Sequence, residues 1–311
     1  MAPGLAPQAL HAGQRLLARV IGGAFGKLDT VPFSQPARGE FKRGELKLSY
    51  LRWPGDGPAL VLLHGLSANA WMWARVAMLF HAAGREVLAL DQRGHGGSSA
   101  PETGYGLPAT THDLRFALDR LTRGPVDLAG HSWGGKVVCH LAATAGDRVR
   151  RVVLADPVMP QGFNPLLRRF PRVIRAAFKP ERGPFPDRAS FEDAATRILY
   201  LQAGDAVSGY LWRESFDEQP DGSFRHRLPE SAFIEILEEA VATDITALIP
   251  SIEAPVLLML PTLSVNFWPG ETGPLRRALG TLEIRKIPGD HSFIQTNPLD
   301  THAAMRPFLG P

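Results

Sequence analysis

The chain has 311 residues, of which 44% are hydrophobic and 21% charged, and its mean hydropathy is -0.07; disordered and fibrous classes are excluded, leaving one large domain with an insertion or two small domains. Net charge is +3 and the isoelectric point is near 9.2, but apart from Arg168, Arg169, Arg172 and Arg175 the basic residues are dispersed, so nucleic acid is not an expected partner. The single cysteine, Cys139, lies in an apolar run, where it packs as a small hydrophobe; a cytoplasmic protein is expected.

Residues 1–35 are read as an N-terminal extension. Its start is uncharged, and Arg15 and Arg19 interrupt its apolar stretch, which argues against a secretory signal and against a bilayer span. Leu10, Leu17, Ile21, Ala24 and Leu28 recur at roughly helical spacing, predicting an amphipathic helix packed on the body, with contact to a membrane surface the disfavoured reading. From there on, short runs rich in Val and Leu alternate with amphipathic stretches, the pattern of a mostly parallel sheet flanked by helices. The predicted strands are ELKLSYLRW, ALVLL, EVLALD, VDLAG, RVVLAD, PVLLML and LEIRKI. Between Asp156 and Pro255 the rhythm breaks, and the segment is richer in Pro, Arg and aromatics. Residues 157–250 are therefore predicted to form a mostly helical cap, with helices over 191–201 and 231–242 and turns at ERGPFPDR and EQPDGS. Residues 36–156 and 251–311 make up the α/β core.

The stretch VDLAGHSWGGKVV carries Gly130, Ser132 and Gly134 as G-x-S-x-G between a strand and a helix-like run. A turn that sharp tolerates only small neighbours, and it projects the Ser132 hydroxyl above the sheet next to the positive end of the following helix. Such a hydroxyl needs a base to attack, and His291, in the loop after LEIRKI, stands where chain order asks for one. His131, His140 and His95 have blander explanations as elbow, helix and turn residues. The oxyanion of a tetrahedral intermediate needs donors. The Trp133 amide and the Leu66 amide, the latter in HGLSANAWMW after ALVLL, are assigned to it, with Gly65 allowing close backbone approach.

Taken in order, HGLSAN, DQRGHGGS, GHSWGG and GDHSF resemble the α/β-hydrolase family over residues 40–308, in its serine-nucleophile, esterase- or lactonase-like branch. The resemblance implies an eight-stranded, mostly parallel sheet, a helical cap inserted after strand 6, no metal or organic cofactor, and an acyl-enzyme intermediate. A serine in place of an aspartate disfavours haloalkane dehalogenation and ordinary epoxide hydrolysis. Asp91, in the family's DQRGHGGS turn, is read as structural.

The chain departs from that pattern at the third triad member. Similar family members usually carry an Asp after the strand PVLLML, where this chain offers Ser264, Val265 and Asn266, none of them an anion. Some members carry the acid after the strand that follows the nucleophile, and Asp156 stands there at the end of RVVLAD. Asp156 is the first choice for orienting His291, Asn266 the alternative that would hold the ring without charge, and Asp290 a remaining carboxylate. Trp71, Trp73, Phe163, Phe170 and Trp212 are candidates for an apolar acyl pocket or equally for core. The expected activity is hydrolysis of a small-molecule ester or lactone. The alternatives are C–C bond hydrolysis, thioester hydrolysis or acyl transfer on the same scaffold, or a ligand-binding protein without turnover.

Overall fold

The structure is a computed structural model that describes residues 31–158, 182–197, 205–264, 266 and 281–310. The predicted N-terminal helix, Phe163, Phe170 and the arginines at 168–175 lie outside these residues. Eight strands form one sheet: β1 (Ala37–Arg43), β2 (Leu46–Trp53), β3 (Asp56–Leu63), β4 (Arg85–Leu90), β5 (Val126–His131), β6 (Val149–Ala155), β9 (Val256–Pro261) and β10 (Leu282–Ile287). Their spatial order is β1-β2-β4-β3-β5-β6-β9-β10. β2 is antiparallel to both of its neighbours, β1 and β4, and every other pairing is parallel.

Parallel strands need covered faces, and alternation along β3 shows how this is met. Leu60 and Leu62 point into a core layer shared with α1 (Ala74–Ala82) and α8 (Pro298–Leu309), while Val61 and Leu63 point into a layer shared with α2 (Leu107–Leu121) and α3 (Trp133–Thr144). All six residues of the central strand β5 are buried. The strand missing from the sequence reading is β1, ARGEFKR, a mostly exposed and polar edge strand; it lacks the apolar signal that betrays the others.

Between β6 and β9 the described chain forms α4 (Arg188–Arg197), α5 (Ala206–Arg213), a hairpin of β7 (Phe216–Glu218) and β8 (Phe224–His226), and α6 (Glu230–Ala242). The hairpin was not expected from the sequence. Its strands have three residues each, too few for a period-2 pattern to register. The last short helix of the core, α7 (Phe293–Thr296), precedes α8. No helix among the described residues is long and apolar enough to cross a membrane.

The register of the sheet sets the position of the site. Leu63 pairs with Gly130, His131 with Ala155 and Ala155 with Met259. The residues that follow β3, β5, β6 and β9 therefore emerge side by side at the carboxyl edge, where open α/β sheets bind ligands.

Candidate active site

Ser132 sits between β5 and α3 with φ 53° and ψ -117°. A non-glycine residue rarely adopts that conformation, and it persists only where the surroundings over-determine it. Here the Ser132 amide donates to the Ala155 carbonyl at 3.0 Å. Gly134 lies so close to β3 that a Cβ there would run into the carbonyls of Leu63 and His64. The bulk forbidden by the elbow is thus forbidden by specific backbone atoms. Trp133 opens α3, where the first amides have no partner within the helix.

Asp156 follows β6, fully buried and itself at φ 42°. Its Oδ2 accepts from His291 Nδ1 at 2.6 Å, a short bond of the kind formed by a charged acceptor. Asn266 does not take that place. Its Nδ2 donates to the Asp156 carbonyl at 2.9 Å and lies 3.4 Å from Oδ2. The 3.3 Å separation between this Nδ2 and His291 Nδ1 brings two N–H donors together, so it orients nothing. Ser264 Oγ donates to the other oxygen, Asp156 Oδ1, at 2.6 Å, and accepts from the Asn266 amide at 3.1 Å. The two polar residues at the family's usual acid position therefore hold the carboxylate that comes from β6. Asp290 faces its own turn, accepting from the Ser292 amide at 2.8 Å.

His131 has more to do than the sequence reading allowed. Its Nε2–H donates to the His291 carbonyl at 2.8 Å, and the two rings lie 4.4 Å apart. Burial pulls its pKa well below the ordinary imidazole value, with the neighbouring His291 adding to the effect; it stays neutral. One elbow thus carries Ser132 and, one residue earlier, an anchor for the His291 loop.

The loop after β3 lies against the elbow. A Cβ on Gly65 would be 3.0 Å from His131 Nδ1 and 3.1 Å from Ser132 Cβ. The Gly65 carbonyl accepts from His64 Nδ1 at 2.7 Å, while His64 Nε2 accepts from the Gln92 amide at 3.0 Å. This fixes the peptide plane shared by the Gly65 carbonyl and the Leu66 N–H, since a trans peptide points the two in opposite directions.

Of the aromatic residues considered for an acyl pocket, three lie within the described residues, and each is buried among packing partners. Trp73 is fully buried with Nε1 donating to the Leu63 carbonyl at 2.8 Å. Trp71 stacks on Tyr210 of α5, ring centroids 4.1 Å apart. Trp212 belongs to the insertion's own aromatic cluster with Phe191 and Phe216. Their size and apolarity fit either role, and sequence alone could not separate them. Asp91 is structural as expected: its carboxylate accepts from the amides of Ala70 and Gly97 and pairs with Arg38.

The model of the α/β hydrolase fold family matches residues 58–225, more than half of the chain, and the chain belongs to that family. Among curated proteins it is similar to the sn-1-specific diacylglycerol lipase ABHD11 of Mus musculus, 28% identical over 85% of each chain. It is also similar to the N-formylmaleamate deformylase of Pseudomonas putida, 25% identical over 85% of this chain and 92% of that one. A fluoroacetate dehalogenase of Burkholderia sp is 27% identical over 82% and 88%. Among solved structures, E-2-(acetamidomethylene)succinate hydrolase superposes with a TM-score of 0.73 at 24% identity, over 88% of this chain and 99% of the other. The named relatives are hydrolases, and the chain is a hydrolase of the α/β family.

Proposed function

We propose that the chain is a serine hydrolase that cleaves a carboxylic ester or lactone through an acyl-enzyme. In this reading His291 takes the proton of Ser132, whose Oγ attacks the acyl carbonyl, while the amides of Leu66 and Trp133 hold the oxyanion. His291 then protonates the leaving alkoxide, and the same ring activates the water that releases the acid. Asp156 keeps the Nδ1 proton of His291 in place, leaving Nε2 free to accept, and stabilises the imidazolium.

The observation that carries this reading is the 2.6 Å bond from His291 Nδ1 to a buried Asp156 carboxylate, one strand over from a serine held at φ 53°. A solvated loop histidine would have no reason to be anchored both through its ring and through its own carbonyl. The similarity to a lipase favours ester chemistry. Ser132 provides a hydroxyl where displacement of halide or opening of an epoxide by a carboxylate nucleophile would need an Asp.

The test is a fluorophosphonate probe together with a short p-nitrophenyl ester at neutral pH. The wild type is expected to take one label, on Ser132, and to turn over the ester, while Ser132→Ala does neither. Turnover retained in Ser132→Ala, or an unlabelled wild type, would overturn the mechanism; the second result would favour a binding protein.

A further inference from the structure

Ser67 follows Leu66 in the loop after β3, and each of its three hydrogen-bonding groups is taken by a side chain from a different stretch of sequence. Its amide donates to His95 Nε2 at 3.2 Å. Its carbonyl accepts from His226 Nε2 at 3.3 Å, and its hydroxyl accepts from Arg182 Nη1 at 2.9 Å. His95 comes from the turn after β4, but Arg182 and His226 both belong to the insertion. Ser67 also has φ 62°, a left-handed conformation that a residue with a side chain keeps only when its surroundings impose it.

The clamp is itself braced. Arg182 is 7% exposed; its Nη2 donates to the Leu228 carbonyl at 2.8 Å, its guanidinium lies 4.2 Å from the Phe233 ring centre, and Nε is 3.7 Å from Glu230. His226 Nδ1 accepts from the Leu228 amide at 3.1 Å, which leaves Nε2 to carry the proton given to Ser67. A second tie runs the other way: Asn69, two residues on, donates to the Leu211 carbonyl at 2.9 Å and to Ser215 Oγ at 3.1 Å. A buried arginine whose bonds reach across to one loop of the core is costly to keep unless it fixes something.

We propose that Arg182 and His226 are positioning residues for the oxyanion hole. By clamping Ser67, they hold from its far side the loop backbone whose Gly65–Leu66 peptide the His64 bond orients, so that the Leu66 N–H keeps its direction and the insertion completes the electrostatics of the site. The inference rests on the acyl-enzyme reading above, in which the Leu66 amide is a donor. Neither residue touches the reacting atoms; both act through the backbone of residues 66 and 67.

The test compares Arg182→Met, Arg182→Lys and Ser67→Gly with the wild type in ester hydrolysis, in inhibition by an aryl trifluoromethyl ketone, and in thermal unfolding. The ketone adds Ser132 Oγ to its carbonyl carbon, and the resulting oxyanion reads the hole directly. Ser67→Gly removes the hydroxyl at a position whose φ glycine accepts without strain, so it keeps the fold even where Arg182→Met does not. Deleting an oxyanion donor outright costs ~10²–10³ in kcat, so misaiming one is expected to cost about tenfold or more. KM should change by less than about threefold, because the interaction is made in the transition state. Affinity for the ketone should fall in parallel with kcat, and Arg182→Lys should recover part of both.

Folded variants with wild-type kcat and ketone affinity would overturn the inference while leaving the mechanism standing. A loss confined to KM would do the same. A wild type that neither hydrolyses the ester nor takes the phosphonate label would overturn the mechanism, and the inference with it.

Discussion

Ser264 Oγ donates to Asp156 Oδ1 at 2.6 Å. The side chain at the family's usual acid position has become a donor to the acid on the neighbouring strand. A fully buried carboxylate needs its lone pairs satisfied, and Ser264 serves the oxygen that His291 does not. Ser264→Ala leaves Oδ1 short of a partner, and an unsatisfied buried acceptor costs ~1–3 kcal/mol. Urea unfolding at neutral pH is expected to show that loss, with kcat reduced far less than in Asp156→Asn. Unchanged stability would mean that Oδ1 finds water or another donor.

Asp156→Asn is the sharper case. The amide cannot both accept from Nδ1 and carry the charge that balances an imidazolium, and in the serine-protease template the matching change lowers turnover by roughly 10⁴. The site offers a way to separate acid chemistry from mere disruption. Asn266 Nδ2 lies 3.3 Å from His291 Nδ1, so a carboxylate at 266 can reach the ring. Asp156→Asn with Asn266→Asp is expected to regain at least tenfold over the single variant; Asn266→Asp alone sets two carboxylates side by side and destabilises the fold through like-charge repulsion. Steady-state hydrolysis of one ester across the three variants decides it, and a double variant no better than Asp156→Asn would deny residue 266 that reach.

Much of this was legible in the chain itself. Seven of the eight sheet strands have apolar runs, and the G-x-S-x-G turn announces itself because its glycines face backbone: a Cβ on Gly130 would meet Gly134, and one on Gly134 would meet His64. The absence of an acid at 264–266 was legible as a gap, and Asp156 as the nearest carboxylate in strand order. What could not be read was the set of contacts made across the sequence. His131 holds His291 over 160 positions, and Arg182 holds Ser67 over 115. Neither residue has a periodic or local signature, since its partner is chosen by the fold.

His64, His95 and His131, fully buried, and His226, half-buried, give the fold a calculable weakness to acid. Burial lowers the pKa of His64, His95 and His131 from 6.5, and takes that of His226 down to about 3, with Arg182 adding to the effect. An unfolded chain titrates these groups near 6.5, so below that pH it binds protons that the folded chain refuses, and stability falls as pH falls. Their contribution is complete above the unfolded value and is lost progressively from about pH 6.5 down toward the folded values. Each such proton steepens the slope by ~1.4 kcal/mol per pH unit. The urea midpoint is expected to drop steadily between pH 7 and pH 5, and His226→Gln to reduce the slope by about one proton. Equal midpoints at pH 7 and pH 5 would show these rings protonated in place.

Gly65 is the position where the elbow and the loop after β3 meet most closely, and it separates packing from catalysis. A methyl group there would sit 3.0 Å from His131 Nδ1 and 3.1 Å from Ser132 Cβ, tighter than an ordinary contact, so loop and elbow must part by a few tenths of an ångström. Overpacking of this kind costs ~1–3 kcal/mol, which a folded protein of ordinary stability survives. The displacement falls on the peptide that ends in the Leu66 N–H and on Ser132. Because catalysis depends on geometry more steeply than stability does, Gly65→Ala is expected to lower kcat by about tenfold or more. Its thermal midpoint should fall by only a few degrees, and the labelling rate of Ser132 should slow in step with kcat. An alanine variant that is destabilised yet turns over at the wild-type rate would show that the hole does not depend on how closely residue 65 approaches Ser132.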